Sequence, residues 1–169
     1  GSLVCGPAEP DCSHCPVATG CAARATGIER QLPAVRKRAA LTHVREAAVV
    51  VRKNGRTLMR QCSDGERWAG LWDYPRFEVE AAGPLLIERE LVEKVRHQSG
   101  VEVRLRGLLD TIRHGVTRYR ITLDCYLADY QAGRLCSTPA RKLKWVAADE
   151  IDALPLSTTG RKIVQLLKK

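Results

Sequence analysis

Ala47-Ala48-Val49-Val50-Val51 is an unbroken apolar run, followed after Arg52-Lys53 by Asn54-Gly55 and then by Arg56-Thr57-Leu58-Met59-Arg60-Gln61. Asn-Gly suits the two central positions of a type I′ turn, both of which need positive φ. The stretch therefore predicts a β-hairpin, a buried strand pair that opens a folded domain.

Working outward towards the C-terminus, Trp68-Ala69-Gly70-Leu71-Trp72-Asp73-Tyr74-Pro75-Arg76-Phe77 is aromatic but irregular, since its Gly and Pro break any regular element. Ile87, Leu91 and Val95 then recur at four-residue spacing ahead of Gly100. That pattern predicts a helix over about 84–99 closed by a left-handed glycine. Val101, Val103 and Leu105 alternate with Glu102, Arg104 and Arg106, and Tyr119, Ile121, Leu123, Cys125 and Leu127 alternate with Arg120, Thr122 and Asp124. Both are the two-residue period of strands. Lys144-Trp145-Val146 reads as one more strand. Ser157 reads as the N-cap of a last helix burying Ile163, Val164, Leu166 and Leu167. Residues 44–169 thus form one α+β domain.

Towards the N-terminus the character changes. Residues 1–24 are rich in Cys, Pro, Gly and Ala without core-building periodicity. Residues 25–43 carry Gly27, Pro33 and the basic run Arg36-Lys37-Arg38 and read as an exposed linker. Of seven cysteines, Cys5, Cys12, Cys15 and Cys21 crowd into the first 21 residues, whereas Cys62, Cys125 and Cys136 are scattered. An odd count with one tight cluster fits a reduced compartment, cytoplasm with its nucleoid or the nucleus, and a metal site better than a disulfide framework. Four soft sulfur ligands suit tetrahedral zinc or a four-iron cluster, and spacing does not choose between them.

The 169 residues suffice for one ordinary domain plus a small appendage. At 44% hydrophobic and 28% charged the chain is globular, and no apolar run approaches the length of a membrane span. A net charge of +9 favours a polyanionic partner. The opening Gly1-Ser2-Leu3-Val4-Cys5 is neither a signal peptide nor a natural beginning, so the sequence reads as a piece of a longer protein.

The cysteine spacing, with Pro16 directly after the third, resembles the iron–sulfur loop that ends the catalytic half of helix-hairpin-helix DNA glycosylases. Joined to Trp68-Ala69-Gly70-Leu71-Trp72-Asp73-Tyr74-Pro75 and to Leu154-Pro155-Leu156-Ser157, it makes the whole chain resemble the C-terminal part of a MutY-type adenine DNA glycosylase. The resemblance implies a Nudix (MutT)-like domain, a mixed sheet flanked by helices. It further implies a 4Fe-4S cluster on Cys5, Cys12, Cys15 and Cys21, zinc being the alternative. The implied partner is double-stranded DNA containing 8-oxoguanine opposite adenine, bound by a monomer that takes part in base-excision repair. Adenine excision belongs to the upstream half in that family, so no catalytic residue is expected here.

In relatives the lesion-reading turn is typically Phe-Ser-His, preceded by Arg-His or a similar pair. Arg113-His114-Gly115-Val116-Thr117-Arg118-Tyr119 stands at that place, and the resemblance implies DNA or lesion contacts from Arg113, His114, Val116, Thr117, Arg118 and Arg120. Thr117 keeps a hydroxyl able to meet the Hoogsteen edge that oxidation alters. Val116 lacks the ring, and Arg118 replaces an imidazole by a permanent fork of donors. Taken as residues alone, Thr117 is also an ordinary turn residue, and Arg118 and Arg120 a solvated strand face. The loop before Cys12 offers Glu9 and Asp11 where many relatives are basic, which argues against a phosphate grip there.

The rival reading is a nucleotide pyrophosphohydrolase, which gathers Mg²⁺ with several helical glutamates. Anchoring the Nudix consensus on Arg89-Glu90-Leu91-Val92-Glu93 puts Lys94 where the last metal-binding Glu belongs, Ala81 at the upstream Glu and Arg96 at the late Gly. The metal site is broken on this alignment, and Glu88, Glu90 and Glu93 are expected on a helix surface. A third reading is a zinc-dependent DNA-binding module.

Overall fold

The structure, a computed structural model, describes residues 4–6, 9–32 and 40–168. The Arg36-Lys37-Arg38 run lies outside them. The chain divides into two compact units, Gly1–Ala40 and Leu41–Lys169.

In the first unit the elements are short: a 3-10 turn over Ala18–Gly20, helix α1 (Ala22–Thr26) and a 3-10 turn over Glu29–Gln31. None of the three buries a side chain fully. Gly27, at φ 67°, ends α1.

The second unit opens on β1 (Thr42–Lys53) and β2 (Arg56–Gln61), paired antiparallel through Arg52↔Thr57 and Lys53↔Arg56. Asn54 at φ 47° and Gly55 at φ 73° make the turn the sequence predicts. On its other side β1 runs parallel to β6 (Tyr119–Gly133) from Thr42↔Tyr119 to Arg52↔Asp129. β5 (Val101–Val116) pairs antiparallel with β6 at the sheet edge, with register shifts near Val103, Gly107 and Asp110. The strand path is β3 (Trp72–Asp73)-β2-β1-β6-β5, so the sheet is mixed. Irregular steps of this kind keep an edge from pairing with another chain.

The apolar run in β1 has a simple cause. Ala48 and Val50 face the core under the last helix, while Ala47, Val49 and Val51 face the core under the first long one. A strand covered on both faces has no polar side, so alternation disappears.

Helix α2 (Pro84–Ser99) buries Ile87, Leu91 and Val95 as the spacing predicts. Gly100 closes it at φ 76°, and a side chain there would also meet the Arg134 carbonyl oxygen at 2.6 Å and Cys136 Sγ at 2.7 Å. Helix α3 (Thr158–Leu167) is capped by Ser157, whose Oγ accepts from Gly160 N–H at 2.9 Å and donates to Asp73 Oδ2 at 3.1 Å. Ile163 and Val164 are buried beneath it, while Leu166 and Leu167 are only partly so.

The aromatic segment is more regular than its composition predicts. It holds β3 (Trp72–Asp73) on β2 and β4 (Arg76–Glu78) on β1, with β7 (Leu143–Ala147) on the far side of β2. Tyr74-Pro75 lies where the chain changes partners, a place for a residue with no N–H to give. Among the described residues no helix is long and apolar enough to cross a membrane.

Candidate functional site

β5 and β6 meet in a two-residue turn, Thr117-Arg118, closed by the pair Val116↔Tyr119. Thr117 stands at φ 51°. Apart from Asn54 it is the one non-glycine residue at positive φ among those described, and Asn tolerates that region whereas a β-branched residue does not. Strand alternation then sorts the six residues the sequence singled out. Arg113 and Arg120 share one face with Gly115, and Thr117 and Arg118 form the tip. All four side chains are exposed. A Cβ on Gly115 would come within 2.6 Å of Arg120 Nη1, so the guanidinium lies across the glycine.

His114 and Val116 face the other way and are half-buried. Neither ring nitrogen of His114 has a hydrogen-bond partner among the described residues, and its ring lies 6.4 Å from that of Trp68. Burial, seconded by the charge of Arg76, holds His114 below the usual histidine value. The resemblance implies a DNA contact for His114; the residue lies half-buried beneath the hairpin, beside Trp68.

Sequence reasoning missed what braces this residue. The Trp68 ring has the Arg76 guanidinium 4.6 Å from its centroid and that of Arg67 at 5.4 Å, and Arg67 also lies 5.1 Å from the Tyr119 ring. Glu46 accepts from Arg76 and sits 3.6 Å from Arg67. Arg76 also donates to Thr159 Oγ1 at 3.0 Å. The neighbouring Asp73 is almost wholly buried, which pushes its carboxyl up while Arg76 pulls it down. The signal was a cation on either side of an aromatic, Arg67-Trp68 and later Arg76, in a segment whose path no period disclosed.

On the other side of the sheet, Glu78, Glu90, Glu93, Lys94, His97 and Arg141 help line an open cleft of about 620 Å³. Glu88 and Glu93 are exposed as expected, but Glu90 is half-buried. Lys94 Nζ donates to Glu90 Oε1 at 2.6 Å and to the Glu78 carbonyl at 2.7 Å. Ala81 N–H donates to Glu90 Oε2 at 2.9 Å, and Glu80 N–H to Oε1 at 3.3 Å. The Lys94 bond, foremost, holds the Glu90 carboxyl below its usual range.

In the first unit Cys5, Cys12, Cys15 and Cys21 all line a single small cavity of about 60 Å³. None of the four is in a disulfide with another described residue. No group of three or more His, Cys, Asp or Glu among the described residues is placed to hold a metal ion. His14 is turned away to Asp11, 2.7 Å from its Oδ2.

A mixed sheet held between two helices, one of which lines a charged cleft with glutamates, defines an α+β domain of the Nudix class. Residues 46–166 match the NUDIX domain, and the chain belongs to that family. Solved structures share the fold. The E. coli ORF135 protein is similar at 21% identity and TM-score 0.60, over 76% of this chain and 88% of that one. The MutT protein from Methanosarcina mazei Go1 gives 15% and 0.64, over 75% and 94%. The MutT NUDIX hydrolase from Burkholderia pseudomallei gives 21% and 0.63, over 75% and 98%. A divalent cation of the kind an intact Nudix helix holds does not fit this cleft. Lys94 and two backbone N–H groups already occupy Glu90, and Ala81 offers no carboxylate.

Proposed function

We propose that the chain is the C-terminal part of a MutY-type adenine DNA glycosylase whose Nudix-type domain reads 8-oxoguanine opposite adenine in duplex DNA. The observation that carries this reading is the hairpin tip: an exposed threonine in left-handed backbone, at the end of two long strands, with Arg118 beside it and the exposed Arg113 and Arg120 on the strands behind it. Backbone strain persists where the surroundings over-determine it, and such places cluster at ligand-reading sites. The Thr117 hydroxyl and the Arg118 fork would address the base edge, and Arg113 and Arg120 the phosphates. His114, Trp68 and Arg67 hold the tip in place from behind.

Cys5, Cys12, Cys15 and Cys21 would hold the four-iron, four-sulfur cluster. All four line one cavity, and the likeness to the glycosylase loop favours the cluster, with zinc as the alternative. When bound it would tie the loop together and do no chemistry on the base.

A second reading, a nucleotide pyrophosphohydrolase, has the more direct support from the comparisons, since a solved relative of this fold carries the name NUDIX hydrolase. The occupied Glu90 is the observation against it. Anisotropy titrations of the chain with 8-oxoguanine:adenine and guanine:adenine duplexes separate the two. A preference of about tenfold or more for the lesion is expected, roughly 1.4 kcal/mol. Equal affinity, with Mg²⁺-dependent release of pyrophosphate or phosphate from oxidised nucleoside triphosphates, overturns the proposal in favour of the hydrolase. Iron with inorganic sulfide supports the cluster, and zinc without sulfide rejects it.

A further inference from the structure

On the face of the sheet that helix α2 covers, Ala47 is wholly buried. Two further rows of that face lie beyond it. In the first, Arg45 of β1, Thr122 of β6 and Arg113 of β5 stand side by side; in the second, His43, Arg120 and Gly115 do. Residues paired across neighbouring strands point their side chains to the same side of a sheet, so the register fixes this grouping. His43, Arg45, Arg113 and Arg120 are all exposed.

The charge on these rows is one-sided. Arg113, Arg120 and the nearby Arg118 take part in no ion pair among the described residues. Arg45 is held from beneath: its Nε and Nη2 donate to Asp124 Oδ2 at 3.2 and 3.0 Å, while Asp124 Oδ1 accepts from Thr111 Oγ1 at 2.7 Å. Asp124 is buried, in the row of Ala47 and Thr111. The Arg45 side chain nevertheless stays 44% exposed, so its guanidinium is aimed by the pair and still faces solvent. Arg45, Arg113, Arg118 and Arg120 thus stand against a single carboxylate that is already engaged by two partners.

Neighbouring strands lie about 4.8 Å apart, and alternate residues of one strand about 6.8 Å, so these cations spread over a flat area at separations of about 5–10 Å. Successive phosphates of one DNA strand advance about 3.4 Å along the helix axis, which puts about three of them within reach of such an area. The two rows hold no Phe, Tyr or Trp on which an unpaired base could stack, the usual means of gripping single strands. Their chemistry suits the backbone of a duplex.

We propose that these two rows form a phosphate-binding surface for duplex DNA, along which the backbone of one strand runs from the hairpin tip across β5 and β6 to Arg45 and His43 on β1. The surface deepens the lesion-reading proposal and rests on it for the choice of DNA as partner. The tip addresses the base, and the rows carry the flanking backbone.

The experiment measures affinity of the whole chain by anisotropy over a series of KCl concentrations. Its probes are an 8-oxoguanine:adenine duplex, the matching undamaged duplex and a single strand of the same length. Arg45→Gln and Arg113→Gln should each weaken both duplexes by the same factor, about fivefold, and lower the slope of log K against log salt by about one. Arg45→Lys keeps the charge and should keep the slope. Arg161→Gln, at an exposed position of α3 on the opposite side of the sheet, should change neither quantity. Thermal unfolding shows whether each variant is folded. Where Arg45→Gln leaves Asp124 short of a partner, Arg45→Gln/Asp124→Asn removes both charges together and should lower the slope in the same way.

Unmoved slopes in the Arg45 and Arg113 variants, an equal loss in Arg161→Gln, or a single strand bound as tightly as the duplex overturns the proposal. Weakening confined to the lesion duplex overturns it too, since a base edge is then being read. Equal affinity for the two duplexes with lowered slopes in the variants upholds this surface and removes the lesion reading. A kept lesion preference with unmoved slopes removes the surface alone.

Discussion

Lys94 Nζ sits 2.6 Å from Glu90 Oε1 and 2.7 Å from the Glu78 carbonyl, so a side-chain ammonium joins helix α2 to the strand beside it. Lys94→Glu should therefore lower stability by about 1 kcal/mol, through loss of an i,i+4 pair and a like-charge contact in its place. It should also set three carboxylates, at 90, 93 and 94, along one side of the helix. Thermal unfolding with and without millimolar MnCl₂ checks this: the variant is stabilised by Mn²⁺ and the wild type is not. A wild-type melting point that rises with Mn²⁺ as much as the variant's refutes the account of Glu90 as already occupied.

Thr117 offers a separation of strain from chemistry. Thr117→Gly should raise stability by about 1 kcal/mol, because glycine takes positive φ without penalty. Thr117→Ala should leave stability within about 0.5 kcal/mol of wild type, since it keeps the strain and loses only an exposed hydroxyl. Both should lose preference for the 8-oxoguanine duplex. Urea unfolding gives the first quantity and anisotropy the second, and retained preference in Thr117→Ala ends the role assigned to the hydroxyl.

His114 makes stability depend on pH with a definite sign. Burial, then Arg76, depresses its value in the fold, so the unfolded chain takes the proton first as pH falls. The contribution is present above about pH 6.5 and is lost as pH drops through the lower folded value. The charged groups acting on the ring are Arg76, Glu46, Lys162 and Arg67. Urea midpoints should decline between pH 7 and 5 in the wild type and decline less in His114→Phe.

Ser157 is the joint between the last helix and the strand carrying Asp73. Ser157→Ala removes both the cap on Gly160 N–H and the hydroxyl on Asp73 Oδ2, in a place only 2% exposed. A loss of about 2 kcal/mol is expected. A denaturation curve unchanged from wild type contradicts this.

What could be read ahead of the structure was local. Asn54-Gly55, the stripe Ile87-Leu91-Val95 ahead of Gly100, and Ser157 each act within a few residues, and all three stand where their chemistry puts them. β3 and β4 are only two and three residues long, too short for any period, and they exist because β2 and β1 offer them edges. The parallel pairing of β1 with β6 leaves no local mark either. At the candidate sites, spacing brought out the four cysteines and likeness brought out the hairpin residues. The inward turn of His114, the brace of Arg67 and Arg76 on Trp68, and the backbone groups on Glu90 depend on segments distant in sequence.

The parallel pairing also orders events in time. A ribosome working at roughly 5–20 residues per second delivers Ala47–Val51 seconds before residues 119–129, the partner strand, leave the exit tunnel. Until then the most apolar ribbon of the chain has one neighbour instead of two, and its open side is a place for a chaperone or for another nascent copy. Slowing translation between codons 61 and 119 lengthens that interval, so yield in the cell should fall with it even though the finished molecule is unchanged.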